Sequence, residues 1–118
     1  MDNFHGKPTI ITDIDGTLFE HAGEEGYSFE SEPTPGAIEK MKEWEAKGYC
    51  IVVVSARPEY EYWATMRQLN QWGIPWHKLV LGIGSGKRFL INDTKPHTKD
   101  TAEAIVVERN LGLEQINV

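Results

Sequence analysis

Thr9-Ile10-Ile11-Thr12-Asp13-Ile14-Asp15-Gly16-Thr17 is the stretch from which the fold of this chain can be read. Residues 9–14, β-branched apart from Asp13, suit a short buried strand, and Gly16 closes it. Side chains alternate along a strand, so Asp13 and Asp15 share one side. Two carboxylates that close repel unless a cation neutralises them or one holds a proton. Ligands of open α/β sheets bind beyond the carboxyl ends of the strands, which is where these two acids stand.

Outward from that strand, segments alternate in pattern. Residues 18–33 are acidic and irregular and read as a surface loop or small flap, with Glu20, Glu24, Glu25, Glu30 and Glu32 as a solvated set. Thr34-Pro35 opens a helix with a capping hydroxyl and a first-turn proline, and Gly48 ends it. Ala37, Ile38, Met41 and Trp44 fall on its one apolar face. Residues 49–54 form an apolar run that suits a strand buried on both faces of a parallel sheet. Pro58 begins a second helix, ended by Gly73, with Trp63, Met66, Leu69 and Trp72 facing inward. Residues 79–81, 89–92 and 102–108 read as three further strands. The order predicts a three-layer, Rossmann-like α/β sandwich with a mainly parallel central sheet and no sizeable cap, built as one domain over residues 1–118.

Composition narrows the function. Twelve Lys plus Arg against eighteen Asp plus Glu leave a net charge of −6 in 118 residues. An acidic chain lacks the basic surface that a phosphate-backbone binder needs, which argues against nucleic acid. No apolar run is long enough to span a bilayer, so no membrane partner is expected. The single cysteine, Cys50, excludes an internal disulfide framework and a thiolate zinc cluster, and the cytoplasm is the expected location.

The other strand ends carry matching chemistry. Ser55, Ala56 and Arg57 follow the second strand, Lys87 and Arg88 precede the fourth, and Asn92-Asp93 end it. Asp93 beside Asp13 and Asp15 would complete a hard oxygen site of the kind Mg²⁺ prefers. Taken singly, each feature has a plainer explanation. Asp-Ile-Asp can be a turn, Ser55 a helix cap, Asn92-Asp93 an Asx turn, and Gly82 to Gly86 a flexible link without Walker spacing. His5, His21, His77 and His97 show no ligand spacing.

As an ordered set, Asp13-Ile-Asp-Gly-Thr17, Ser55 in Val-Val-Val-Ser-Ala-Arg, and Asn92-Asp93 resemble the haloacid dehalogenase (HAD) superfamily of phosphohydrolases. The tail from Gly82 through Asp93-Thr-Lys-Pro96 to Asn110 looks like small capless members of sugar-phosphate or polysaccharide pathways. Asn92 stands where relatives often carry a second acid. The third-motif cation is Lys87, with Lys78 and Arg88 as alternatives.

The resemblance implies an Mg²⁺-dependent phosphomonoester hydrolase that works through an aspartyl-phosphate. Asp13 is then the nucleophile and Asp15 the general acid and base. Asp13, the Asp15 carbonyl, Asp93 and Asn92 would hold Mg²⁺. Ser55, Lys87 and the backbone around Gly16, Thr17, Ala56 and Arg57 would hold the phosphoryl group. The expected substrate is a phosphorylated carbohydrate or another small metabolite. A catalytically silent binding scaffold and a nucleic-acid-end phosphatase are the alternatives. A receiver-type signalling domain is excluded, because Ser55 stands where its phospho-accepting Asp would be. A capless site leaves substrate wet, so self-association into a homo-oligomer is expected.

Overall fold

The computed structural model describes residues 3–118. Three strands, β1 (Thr9–Thr12), β2 (Cys50–Val54) and β3 (Lys78–Val80), alternate with two helices, α1 (Ala37–Ala46) and α2 (Tyr62–Gln71). The strands form one parallel sheet in the order β1-β2-β3. Thr9 to Thr12 lie level with Cys50 to Val53, and Val52 to Val54 with Lys78 to Val80. This is an open α/β fold of Rossmann-like type with no large cap among the described residues. No described helix is long and apolar enough to cross a membrane.

The core lies on one face of the sheet. Ile51 and Val53 are fully buried and pack with Ile14, Leu18, Phe19, Met41, Trp44 and Leu69. The expectation that residues 49–54 are covered on both faces is not met. Cys50, Val52 and Val54 are only half-buried, and on their side of the sheet Ile11 is 53% exposed and Val80 is also exposed. The described chain supplies one helical layer to cover β2, so the second apolar face has no cover of its own.

The first helix forms for the expected reason, an apolar stripe of Ala37, Met41 and Trp44 that meets the sheet. Gly48, at φ 83°, ends it by giving Glu45 and Trp44 carbonyls their partners from Gly48 and Tyr49. Its start differs from expectation. Gly36 stands at the N-cap, and the buried Thr34 hydroxyl donates instead to the Thr17 carbonyl, which ties the helix entrance to the turn after β1.

The second helix also begins later. Pro58 caps one 3-10 turn, Glu59–Glu61, before α2 proper. Its inward face is Thr65, Gln68 and Leu69, while Trp63 is 66% exposed against the expected inward placement. Polar residues take the inner positions because a buried guanidinium beneath them requires acceptors.

Residues 89–92 and 102–108, both expected as strands, pair with no sheet strand. They run as an irregular, mostly exposed arm closed by a Lys95–Thr98 bridge. For residues 89–92 the short connection from β3 bars a parallel place in the sheet. Eight residues separate Val80 from Phe89, whereas a parallel crossover takes a dozen or more. In contrast, residues 18–33 are more ordered than a solvated loop, with Phe19 fully buried and bridged to Pro33.

Leu69→Ala should destabilise the chain by about 2–5 kcal/mol, as buried leucines do. Trp63→Ala should change stability by no more than about 0.5 kcal/mol, the range of exposed sites. Urea unfolding of the two variants measures both, and a larger loss from Trp63→Ala would contradict the orientation of α2.

Candidate active site

Directly after β1 the chain turns tightly over Ile14. The Ile14 carbonyl accepts from Thr17, Leu18 and Phe19, and the Gly16 N–H donates to the Phe19 carbonyl at 2.7 Å. The Gly16 and Thr17 amides are therefore spent inside the turn and are not open to a phosphoryl group. Gly16 itself is required there, at φ 86° and with the Arg109 stem 3.1 Å from where a Cβ would stand. The turn leaves Asp13 and Asp15 at the mouth of a cleft of about 290 Å³.

Asp15 is held by Arg57. Arg57 Nε donates to Asp15 Oδ2 at 2.9 Å and Nη2 donates to Oδ1 at 2.8 Å. Such a fork is among the strongest side-chain pairings, because both bonds are charge-assisted. Arg57 is only 2% exposed. Its Nη1 donates to Thr65 Oγ1 and Gln68 Oε1, and the Tyr27 and Phe29 rings lie over the guanidinium at 5.1 and 5.3 Å. Tyr27 donates to Glu61, and its phenol is pushed up to about 12 by desolvation first and by Glu61 second, so it stays neutral.

Asp13 has a different environment. Burial pushes its carboxyl above the ordinary value. The Ile14 N–H and the Arg88 guanidinium, 3.3 Å away, offset part of that shift, and Asp15 adds to it. Ser55 is buried at the cleft floor. Its Oγ accepts from the Arg57 N–H at 3.0 Å, which leaves the hydroxyl hydrogen for an anion.

The expected site residues divide into two groups. Asp13, Asp15, Ser55, Ala56 and Arg57 all line the cleft. Lys87, Asn92 and Asp93 do not. Lys87 lies 5.2 Å from the Phe89 ring and Arg88 takes the place beside Asp13. Asp93 is solvent-exposed and paired with Lys95 at 2.7 Å, and Asn92 bonds the Thr101 carbonyl. Arg57, expected among the phosphate contacts, is fully engaged with Asp15 and α2.

Sequence reasoning missed Arg109, Ser85, His21, Glu25 and Tyr27 as cleft residues. Arg109 comes from far down the chain and carried no local signal. The Asn110 N–H bonds the Gly16 carbonyl and its side chain accepts from the His21 N–H, which bring both residues to the cleft. Asn110 itself takes φ 67°, a conformation that an Asx residue tolerates.

The acids of one chain do not form a cation site. Asp13 pairs with Arg88, Asp15 with Arg57 and Asp93 with Lys95, and no group of three potential ligands gathers among the described residues. The donors present in one chain therefore fall short of the three-acid set expected for Mg²⁺.

A parallel α/β sheet with paired acids after its first strand, a buried serine after its second and arginines around the cleft defines a phosphatase-type fold of the HAD-like class. The family model for the PITM 1-3, LNS2 domain matches residues 10–114, and the chain belongs to that family. A crystal structure of a structural-genomics target from Vibrio cholerae is similar, with a TM-score of 0.55 and 22% identity over 73% of this chain and 80% of that one. A chain in the structure of a Pnkp1/Rnl/Hen1 complex is also similar, with a TM-score of 0.58 and 22% identity over 70% of this chain and 30% of that one. At such identities the likeness shows the fold alone. No curated protein matches the chain.

Two outcomes follow from the clamp and from the desolvated acid. Arg57→Ala should destabilise by about 3–5 kcal/mol, because it leaves Asp15, Thr65 and Gln68 without their partner. Asp13 binds its proton more tightly folded than unfolded, so ionised Asp13 lowers stability above the ordinary value of 3.8, and the penalty fades as pH falls toward it. Asp13→Asn should therefore melt at or above the wild-type temperature at pH 7, with a smaller margin at pH 4.5. A lower melting temperature for Asp13→Asn at pH 7 would contradict the desolvation.

Proposed function

We propose that this chain hydrolyses the phosphate monoester of a small phosphorylated carbohydrate or similar metabolite, with Asp13 as nucleophile. The observation that supports it most is a desolvated carboxylate at the end of β1 facing a cleft where Arg88, Arg109 and the Ser55 hydroxyl converge. Desolvation favours attack by Asp13, and fixed cations and hydroxyls stabilise charge on the phosphoryl oxygens without reorganisation.

An Asp13 oxygen forms a bond to phosphorus as the bond to the ester oxygen breaks. Asp15 gives that oxygen its proton, and the product alcohol leaves. A water oxygen then attacks phosphorus, its proton passes to Asp15, and the Asp13–phosphorus bond breaks to release phosphate. Both Asp15 oxygens accept from Arg57 in the free chain, so one arm of the fork opens when Asp15 carries its proton. Arg57 is the positioning residue that aims Asp15. A divalent cation would supply further charge for Asp13 to meet a phosphate dianion. Asp13 and the Asp15 carbonyl are the donors that would face it, a set short of the three acids expected, and no step above runs through it.

A lone cysteine with no disulfide fits a reducing, cytoplasmic setting. A silent binding scaffold is the second reading, favoured by the Arg88–Asp13 and Arg57–Asp15 pairs that neutralise both acids. A nucleic-acid-end substrate draws only on the fold shared with the Pnkp1/Rnl/Hen1 chain and runs against the net charge of −6.

A phosphate-release screen over sugar phosphates, nucleotides and phosphorylated DNA ends separates these. Sugar phosphates should be the substrates, and Asp13→Asn should abolish turnover. Asp15→Asn should lower it by roughly 10²–10⁴-fold on alkyl phosphates and by less on p-nitrophenyl phosphate, whose leaving group needs little protonation. Arg88→Ala should lower turnover more than Lys87→Ala. Acid-quenched mass spectrometry should find a phosphoryl adduct in Asp15→Asn and none in Asp13→Asn. No phosphate release from any substrate would favour the scaffold.

A further inference from the structure

Among the described residues Asn110 alone, glycines apart, stands at positive φ. Asparagine takes that conformation at lower cost than most side chains do. Both its backbone and its side chain are used at the cleft. Its N–H donates to the Gly16 carbonyl at 2.8 Å, and its Oδ1 accepts from the His21 N–H at 2.7 Å. One residue near the end of the chain is thereby joined to the turn after β1 and to the flap.

The position of Asn110 gives those bonds a consequence. From Gly82 to Arg109 the chain adds no strand to the sheet and is mostly exposed. Beyond Asn110 it is docked. Gly112 lies against Pro35 at the entrance to α1, the Leu113 N–H donates to the Pro35 carbonyl at 2.9 Å, and Leu113 is buried in the core. Asn110 is where the chain leaving the arm is tied to the site, and Arg109 stands next to that tie. The Arg109 stem crosses Gly16, and the side chain reaches the cleft. Arg57 and Arg88 are each paired with an acid, whereas Arg109 pairs with no acid among the described residues. A long side chain loses rotamer freedom when it grips an anion, and a backbone fixed beforehand reduces what must still be ordered.

We propose that Asn110 is a positioning residue for phosphate. By bracing the flap against the turn after β1 it fixes the backbone from which Arg109 meets the phosphoryl oxygens. The part given to Arg109 rests on the phosphoryl site proposed above. The coupling is reciprocal: if the Asn110–His21 bond strengthens phosphate binding, bound phosphate strengthens that bond by the same factor. A latch that served stability alone would lower the melting temperature and leave phosphate affinity untouched.

Asn110→Gly keeps the positive φ and the backbone N–H and removes the amide that braces His21. It should bind inorganic phosphate roughly 3- to 10-fold more weakly by calorimetry, the size of one net hydrogen bond. Arg109→Ala should cost at least about tenfold, and adding Asn110→Gly to it should cost no more than about twofold further, since the brace then has no arginine to hold. Losses that multiply in full, or an Asn110→Gly chain that binds phosphate like wild type, would overturn the positioning role. In the wild-type chain, saturating phosphate should slow hydrogen exchange of the His21 N–H by the same roughly 3- to 10-fold, and in Arg109→Ala it should not. Equal exchange with and without phosphate would overturn the role even if Asn110→Gly failed to fold. None of these readouts needs turnover. A chain that binds phosphate as described and hydrolyses nothing supports the brace and removes the hydrolase reading, whereas a wild-type chain that binds no phosphate overturns both.

Discussion

Arg57 is a buried cation with nowhere to go but Asp15, and much of the molecule is arranged around that necessity. Its guanidinium takes both oxygens of Asp15, two side chains of α2 and the faces of two flap aromatics. A buried charge is tolerated only when its donors are satisfied, and here the surrounding groups come from three parts of the chain besides the loop that carries Arg57. The turn after β1, the loop after β2, the inner face of α2 and the flap over the cleft are held in register by one side chain. Gln68 extends the network by donating to the Ser28 carbonyl in the flap. Removing the positive charge would release the flap, the helix and the acid together.

That network also separates the two acids of the first motif. Asp15 sits in a fixed fork, while Asp13 faces a partly exposed arginine from a glycine-rich segment and has its carboxyl raised by burial. Two like groups in different surroundings can take different roles in one reaction. Asp13 has the freer carboxylate, suited to attack, and Asp15 the oriented one, suited to proton transfer. The buried Ser55 hydroxyl lines the same cleft and is positioned by the Arg57 backbone.

The other organising constraint is an open edge. A three-stranded sheet covered on one face leaves Ile11, Val52 and Val54 with incomplete shelter, and the arm carries unburied apolar residues of its own. Membership of the LNS2 domain family covers residues 10–114, so the arm lies within the matched region rather than beyond it.

The α/β order, the parallel sheet and the acids at the end of β1 were legible in residue patterns, because strand alternation, helix stripes and glycine stops act over a few residues. Ala37, Met41 and Trp44 could be placed inward from spacing alone, and Gly48 and Gly73 mark real helix ends. Trp63 could not be placed, since its hydrophobicity pointed inward while the needs of Arg57 turned Thr65 and Gln68 there instead. Nor could residues 89–92 and 102–108, whose β-rich composition says that they can be strands but not that a partner lies within reach. Local sequence determined which segments form helices and strands and where the first two acids stand. Tertiary structure alone decided which arginine meets which acid, because those contacts join residues 42 and 75 positions apart, and nothing in the spacing of a chain encodes where its distant charges must go to be neutralised.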